Sequence, residues 1–84
     1  MSEKSDISLE IISAEQTLVN CLVNSVELPG TLGRFEVLRD HAPLLSSLAP
    51  GDIVFTAGDK TGRIPVRGGF VEVAHNHVSV CVEV

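Results

Sequence analysis

Three histidines, two cysteines and eleven carboxylates are the groups in this 84-residue chain best suited to metal or acid–base chemistry. His75-Asn76-His77 has the H-x-H spacing of a metal pair and the letters of a nuclease motif. On a strand, residues two apart share a face. A zinc site, however, needs four ligands, or three plus a water, and a supporting second shell. Cys21 and Cys81 show no pairing with these histidines in sequence and no CxxC spacing. The stretch therefore reads as a polar hairpin turn, with Asn76 where positive φ is tolerated. The cysteines are expected to be reduced free thiols, at least one of them buried. No GxSxG, Walker loop or GxGxxG is present. Gly68-Gly69 precedes the strand pattern "FVEV", so it predicts a tight turn or bulge and not a phosphate cradle at a helix start. Glu10 and Glu15 have no apolar cleft implied around them. These residues predict no catalysis, cofactor or metal.

The elements around these residues show alternation, the mark of half-buried strands. Ile7, Leu9 and Ile11 alternate with Ser8 and Glu10, and Phe35 and Val37 with Arg34 and Glu36. Leu22, Val26 and Leu28 share a parity that Asn24 breaks, and Ile53 and Phe55 share a face. Ile64 and Val66 alternate with Arg63, Pro65 and Arg67. The last run is the clearest, with Val78, Val80, Val82 and Val84 on the expected core side. "PGTLG", "PGD", "AGDKTG", "RGG" and "AHNH" supply turns between the runs. Short strands with frequent Gly and Asp turns predict an antiparallel sandwich or barrel. Ser13-Ala14-Glu15-Gln16 has capping-box spacing but too little helical pattern after it, and reads as a bend.

Composition fits one small domain, 1–84, with residues 1–6 as a flexible N-terminal tail. The chain is 44% hydrophobic with only three aromatic residues, so its core must be aliphatic. A net charge of −5, with six scattered bases, disfavours nucleic acid and anionic lipid. No apolar run approaches the ~20 residues of a membrane span. "MSEKSDIS" lacks the apolar centre of a signal peptide, which predicts a cytosolic chain made at its final length.

One stretch does not fit a polar connection. "DHAPLLSSLAPGD", residues 40–52, holds two prolines, a histidine and three leucines between strand-like runs. Pro43 at a first helical position would allow one turn of helix. An apolar loop with a restricted backbone suits docking, because less entropy is lost on binding.

"SAEQ" at 13–16, "HAPLL" at 41–45, "LAPG" at 48–51, "GGFVEV" at 68–73 and "HNHVSVCVE" at 75–83 occur in this order over nearly the whole chain. In this combination the sequence closely resembles the ε subunit of F-type ATP synthases. The resemblance implies a flattened all-β sandwich of about ten short strands, consistent with the alternation. It implies a non-catalytic central-stalk subunit that binds γ, rests on the polar loops of the c-subunit ring and rotates with them. Through γ it would reach the α/β head indirectly. It would lie on the cytoplasmic side of the bacterial inner membrane and couple proton or sodium flow to ATP synthesis.

The resemblance carries the γ contact to His41, Ala42, Pro43, Leu44, Leu45 and Ser46. One of the two leucines is expected to close the end of the sandwich. It carries the ring contact to Thr31, Leu32, Gly33, Arg34 and Glu36. Arg34 stands where the family commonly has an acid, and Glu36 where a glycine is frequent. The ring loops usually carry an arginine, so Glu36 is the candidate carboxylate. Many family members continue into a two-helix C-terminal hairpin that binds ATP or inhibits hydrolysis. This sequence stops at Val84, so neither ATP binding nor self-inhibition is expected of it. Two rival readings remain: a small ligand-binding β-barrel, and a metal-dependent enzyme built on His75 and His77.

Overall fold

A computed structural model describes residues 6–84; residues 1–5, most of the expected tail, lie outside the described residues. The described residues form nine strands: β1 (Ile7–Ile12), β2 (Thr17–Val23), β3 (Ser25–Gly30), β4 (Gly33–Val37), β5 (Leu44–Leu48), β6 (Gly51–Ala57), β7 (Lys60–Val66), β8 (Gly68–Ala74) and β9 (His77–Glu83). They form one curled sheet in the order β2-β1-β9-β8-β5-β3-β6-β7, with β4 added to β3. The curl turns the apolar parity of its two halves onto a shared core, giving the all-β sandwich. Pairing is antiparallel except between β1 and β9, which run parallel from Ser8↔His77 to Ile12↔Cys81. Nothing local marks that pair, and it corrects the expectation of a wholly antiparallel sheet.

The core is aliphatic. Ile7, Leu9 and Ile11 of β1, Val71 and Val73 of β8, and Val78 and Val80 of β9 are all at most 1% exposed. Val26, Leu28, Val37 and Ile53 face them from the other half and are equally buried. Fully burying each such side chain contributes roughly 1.5–3 kcal/mol, against conformational entropy of similar total size. Val84 departs from the expected parity: it lies beyond β9 and is exposed.

The run from Leu22 to Leu28 is two strands and not one. Asn24 sits between them, so the parity changes: Val23 and Val26 are buried while Leu22 is exposed. The Asn24 amide N–H donates to the Thr56 carbonyl (2.6 Å), and its Oδ1 accepts from the Gly58 N–H (2.6 Å). This side chain ties the bend to the β6–β7 turn. The Ser13 hydroxyl oxygen accepts from the Glu15 and Gln16 N–H groups (both 3.3 Å), and the Ser13 N–H donates to the Gln16 carbonyl. The capping-box spacing thus closes a turn between β1 and β2.

His75 and Asn76 form a two-residue turn with φ of 53° and 61°. Ala74 and His77 are paired on either side of it. Two successive positive φ values match the twist of the flanking strands, and asparagine tolerates them. At Gly69, φ is 141° and a Cβ would run into the Cys81 carbonyl, so the second glycine of "RGG" is required by β9's close approach.

Two further expectations are corrected. "LLSSL" is a strand, β5, paired with β8 from Leu44↔Val73 to Leu48↔Gly69, and neither a loop nor a helical turn. Cys21 and Cys81 are free thiols, but Cys21 is exposed and Cys81 half-buried, so neither is a core residue. Cys21 lies opposite the buried Leu9, yet β2 ends the sheet among the described residues, and the thiol is exposed there.

Candidate partner-binding surfaces

The residues expected to meet two different partners converge on one end of the molecule. The β3–β4 hairpin turns at Thr31 and Leu32, with Gly30 and Gly33 paired at its base. A Cβ at Gly30 would press on the Gly33 carbonyl (2.7 Å) and the Phe35 ring (2.9 Å), which fixes glycine there. The tip is held to β5 by two contacts: the Thr31 N–H donates to the Ser47 carbonyl (3.1 Å), and the two hydroxyls share a hydrogen bond (2.9 Å). Leu32 projects from the tip fully exposed.

Beside this hairpin an open cleft of about 430 Å³ is lined by Gly30, Leu32, Gly33, Arg34, Phe35, His41, Leu44 and Ser46. It joins three of the residues assigned to γ with three assigned to the ring. Phe35, read in the sequence only as part of an alternating strand, is half-buried and lines the same cleft.

The two adjacent leucines separate. Leu44 is half-buried and packs on the core. Leu45 points to the opposite face and is 74% exposed. Ala42 and Pro43 are exposed, and His41 Nδ1 lies 2.6 Å from the Ala42 carbonyl. Leu45 also borders a shallow depression of about 280 Å³ with Pro43, Glu72 and Ala74.

On the hairpin, Arg34 Nε donates to Glu27 Oε1 across β3 and β4 at 3.3 Å. Both side chains are more than 40% exposed (42% and 47%), so the pair is worth at most about 1 kcal/mol. Glu36 is directly opposite Glu27. Arg34 is therefore already engaged, and two carboxylates share the strand pair with one guanidinium.

A third surface was missed in the sequence. Ile12, Ala14, Phe70, Cys81 and Glu83 line a groove of about 530 Å³ on the outer face of β1, β9 and β8. Phe70 is 55% exposed there, paired with Cys81. The available signal was a parity violation, an aromatic on the polar side of "GGFVEV".

His75 and His77 are exposed at the β8–β9 turn, while His41 lines the cleft. Among the described residues no group of three His, Cys, Asp or Glu could hold a metal ion. Among the described residues no helix is long and apolar enough to cross a membrane.

Comparison with known proteins agrees with this architecture. The curated ATP synthase epsilon chain of Maridesulfovibrio salexigens is 38% identical over 80 residues, covering 95% of this chain and 56% of that protein. That of Nitratidesulfovibrio vulgaris strain DP4 is 42% identical over 81 residues, covering 96% of this chain and 60% of that protein. The chain thus spans less than two thirds of the length of these relatives. Among solved structures, a chain of the Euglena gracilis mitochondrial ATP synthase (OSCP/F1/c-ring) superposes with a TM-score of 0.86 at 24% identity, over 92% of this chain and 50% of that one. One from the Tetrahymena thermophila mitochondrial ATP synthase central stalk/c-ring gives 0.78 at 14% identity, over 99% and 67%. At such identities these two show the fold alone. The family model described as "ATP synthase, Delta/Epsilon chain, beta-sandwich domain" matches residues 6–84, and the chain belongs to that family.

Proposed function

We propose that this chain is the rotor-side sandwich of an epsilon-type central-stalk subunit, docking on γ through His41–Ser46 and on the c-ring through Thr31, Leu32, Gly33, Arg34 and Glu36. It does no chemistry. It holds two partners together so that torque passes between them, and it lies peripherally on the cytoplasmic side of the bacterial inner membrane. The observation that carries this reading is the shared cleft, in which Leu32, Gly33 and Arg34 meet His41, Leu44 and Ser46. Exposed Leu32 lines it, and Leu45 is exposed on the opposite face of β5; both offer apolar area that docking would bury.

Glu36 is the better candidate for a basic ring loop than Arg34. Arg34 is paired with Glu27, whereas Glu36 has no ion-pair partner among the described residues. The rival ligand-binding barrel fits less well, because aliphatic side chains fill the interior and the clefts are open surface features. The test is co-purification of the tagged chain with γ and with the c-ring, each expressed alone and together. Capture of both partners, each competed by excess untagged chain, is expected. Failure to capture γ overturns the docking reading.

A further inference from the structure

Beside the cleft lies a pair of residues that the core and the apolar surfaces leave unexplained. Asp40 has φ of 65°. It occupies the third position of a turn closed by the His41 N–H donating to the Leu38 carbonyl at 3.2 Å. That position normally takes glycine, and aspartate and asparagine are the side-chain-bearing residues that best tolerate it. Asn76, in the β8–β9 turn, is also left-handed, with φ of 61°. The two meet across 36 residues of sequence: the Asp40 N–H donates to Asn76 Oδ1 at 2.6 Å. In return Asn76 Nδ2 donates to Asp40 Oδ1 at 3.1 Å. The Asn76 carbonyl accepts from the Ser8 N–H at 2.9 Å, which fixes the turn to β1.

This exchange couples a surface turn to the paired β1–β9–β8 part of the sheet. His41, Ala42 and Pro43 follow directly and belong to no strand before β5 begins at Leu44. The direction in which they leave Asp40 decides where the docking segment lies. We propose that Asp40 and Asn76 form a latch that sets residues 41–46 in their docking geometry before γ arrives, making Asn76 a positioning residue of that interface. This rests on the docking reading above. A segment already held in its bound shape loses less freedom on association, so the latch raises affinity without touching the partner.

The chemistry of the pair gives a selective test. Asn76→Asp keeps a residue suited to the left-handed turn but replaces the donating amide with a second carboxylate facing Asp40, and the two repel. Asp40→Asn retains an oxygen to accept from Asn76 and keeps the backbone donor. The double swap D40N/N76D restores one amide opposite one carboxylate. Calorimetric titration against purified γ should show Asn76→Asp weakened roughly tenfold, the effect of losing about one hydrogen bond. Asp40→Asn and the double swap should stay close to wild type. Amide exchange at residues 40 and 41, measured without γ, should accelerate in Asn76→Asp and recover in the double swap. Wild-type affinity in Asn76→Asp, or weakened binding that the double swap does not recover, overturns the latch. No binding by the wild-type chain overturns the docking reading itself.

Discussion

β9 and β5 flank the same strand, β8, and meet opposite fates. In β9, "HVSVCVE", the valines fall on one parity, and Val78, Val80 and Val82 are all buried. Both edges of β9 are paired, to β1 and β8. In β5, "LLSSL", two leucines are adjacent. Successive side chains on a strand point to opposite faces, so the pleat buries part of Leu44 and must expose Leu45. β5 pairs fully with β8 but is paired with β3 only at Gly30↔Leu48. Similar apolar content thus gives a core strand in one case and a surface strand with an anchor in the other. Pattern and edge coverage decide between stability and availability for a partner.

The largest effect should come from breaking the core side. Val80→Asp places an unpaired charge where the native side chain is 1% exposed. That penalty is several kcal/mol, against a total stability of roughly 5–15 kcal/mol for a domain. We expect loss of the cooperative thermal transition in circular dichroism; a folded variant melting near wild type would show that β9 is not central to the core.

The two leucines of β5 sharpen the comparison within one strand. Leu44→Asp should lower the melting temperature through a loss of roughly 2 kcal/mol or more, because this side chain packs on the core. Leu45→Asp should change stability by no more than about 0.5 kcal/mol, as for other exposed positions. It should nevertheless weaken γ binding by roughly 2 kcal/mol if Leu45 is an anchor. Equal destabilisation by the two variants would break the division of faces.

The smallest effect lies on the neighbouring β3–β4 hairpin. Glu36→Gln should weaken attachment to the c-ring by about 0.2–1 kcal/mol, the range of exposed charge pairs. The loss should shrink as salt rises, because exposed charges are screened. Arg34→Gln should do less, since its charge is engaged with Glu27. Sedimentation with detergent-solubilised ring at two salt concentrations measures both; a larger loss for Arg34→Gln would reverse the assignment.

Much of the strand pattern could be read from side-chain periodicity, which reports one residue's environment relative to its neighbours. That is why β1, β4, β7 and β9 were clear. The Leu22–Leu28 run misled because Asn24 resets the parity, and the reset depends on bonds to Thr56 and Gly58. β5 was read as a connection because its leucine doublet and flanking prolines do not alternate; only β8 makes it a strand. The candidate docking residues were reached through family resemblance. The cleft that joins them, and the Phe35 ring within it, depend on contacts remote in sequence.

The sequence by itself determined an aliphatic all-β domain, its main core valines and isoleucines, the Asn76 turn and the family. These follow from two-residue periodicity, local turn chemistry and motif order. Only the tertiary structure decided the parallel pairing of β1 with β9, the exposure of Cys21 at the end of the sheet, the burial of Leu44 but not Leu45, and the meeting of Asp40 with Asn76. Each of these depends on which distant strand covers an edge or a face, and long-range closure carries no signature in the residues on either side of it.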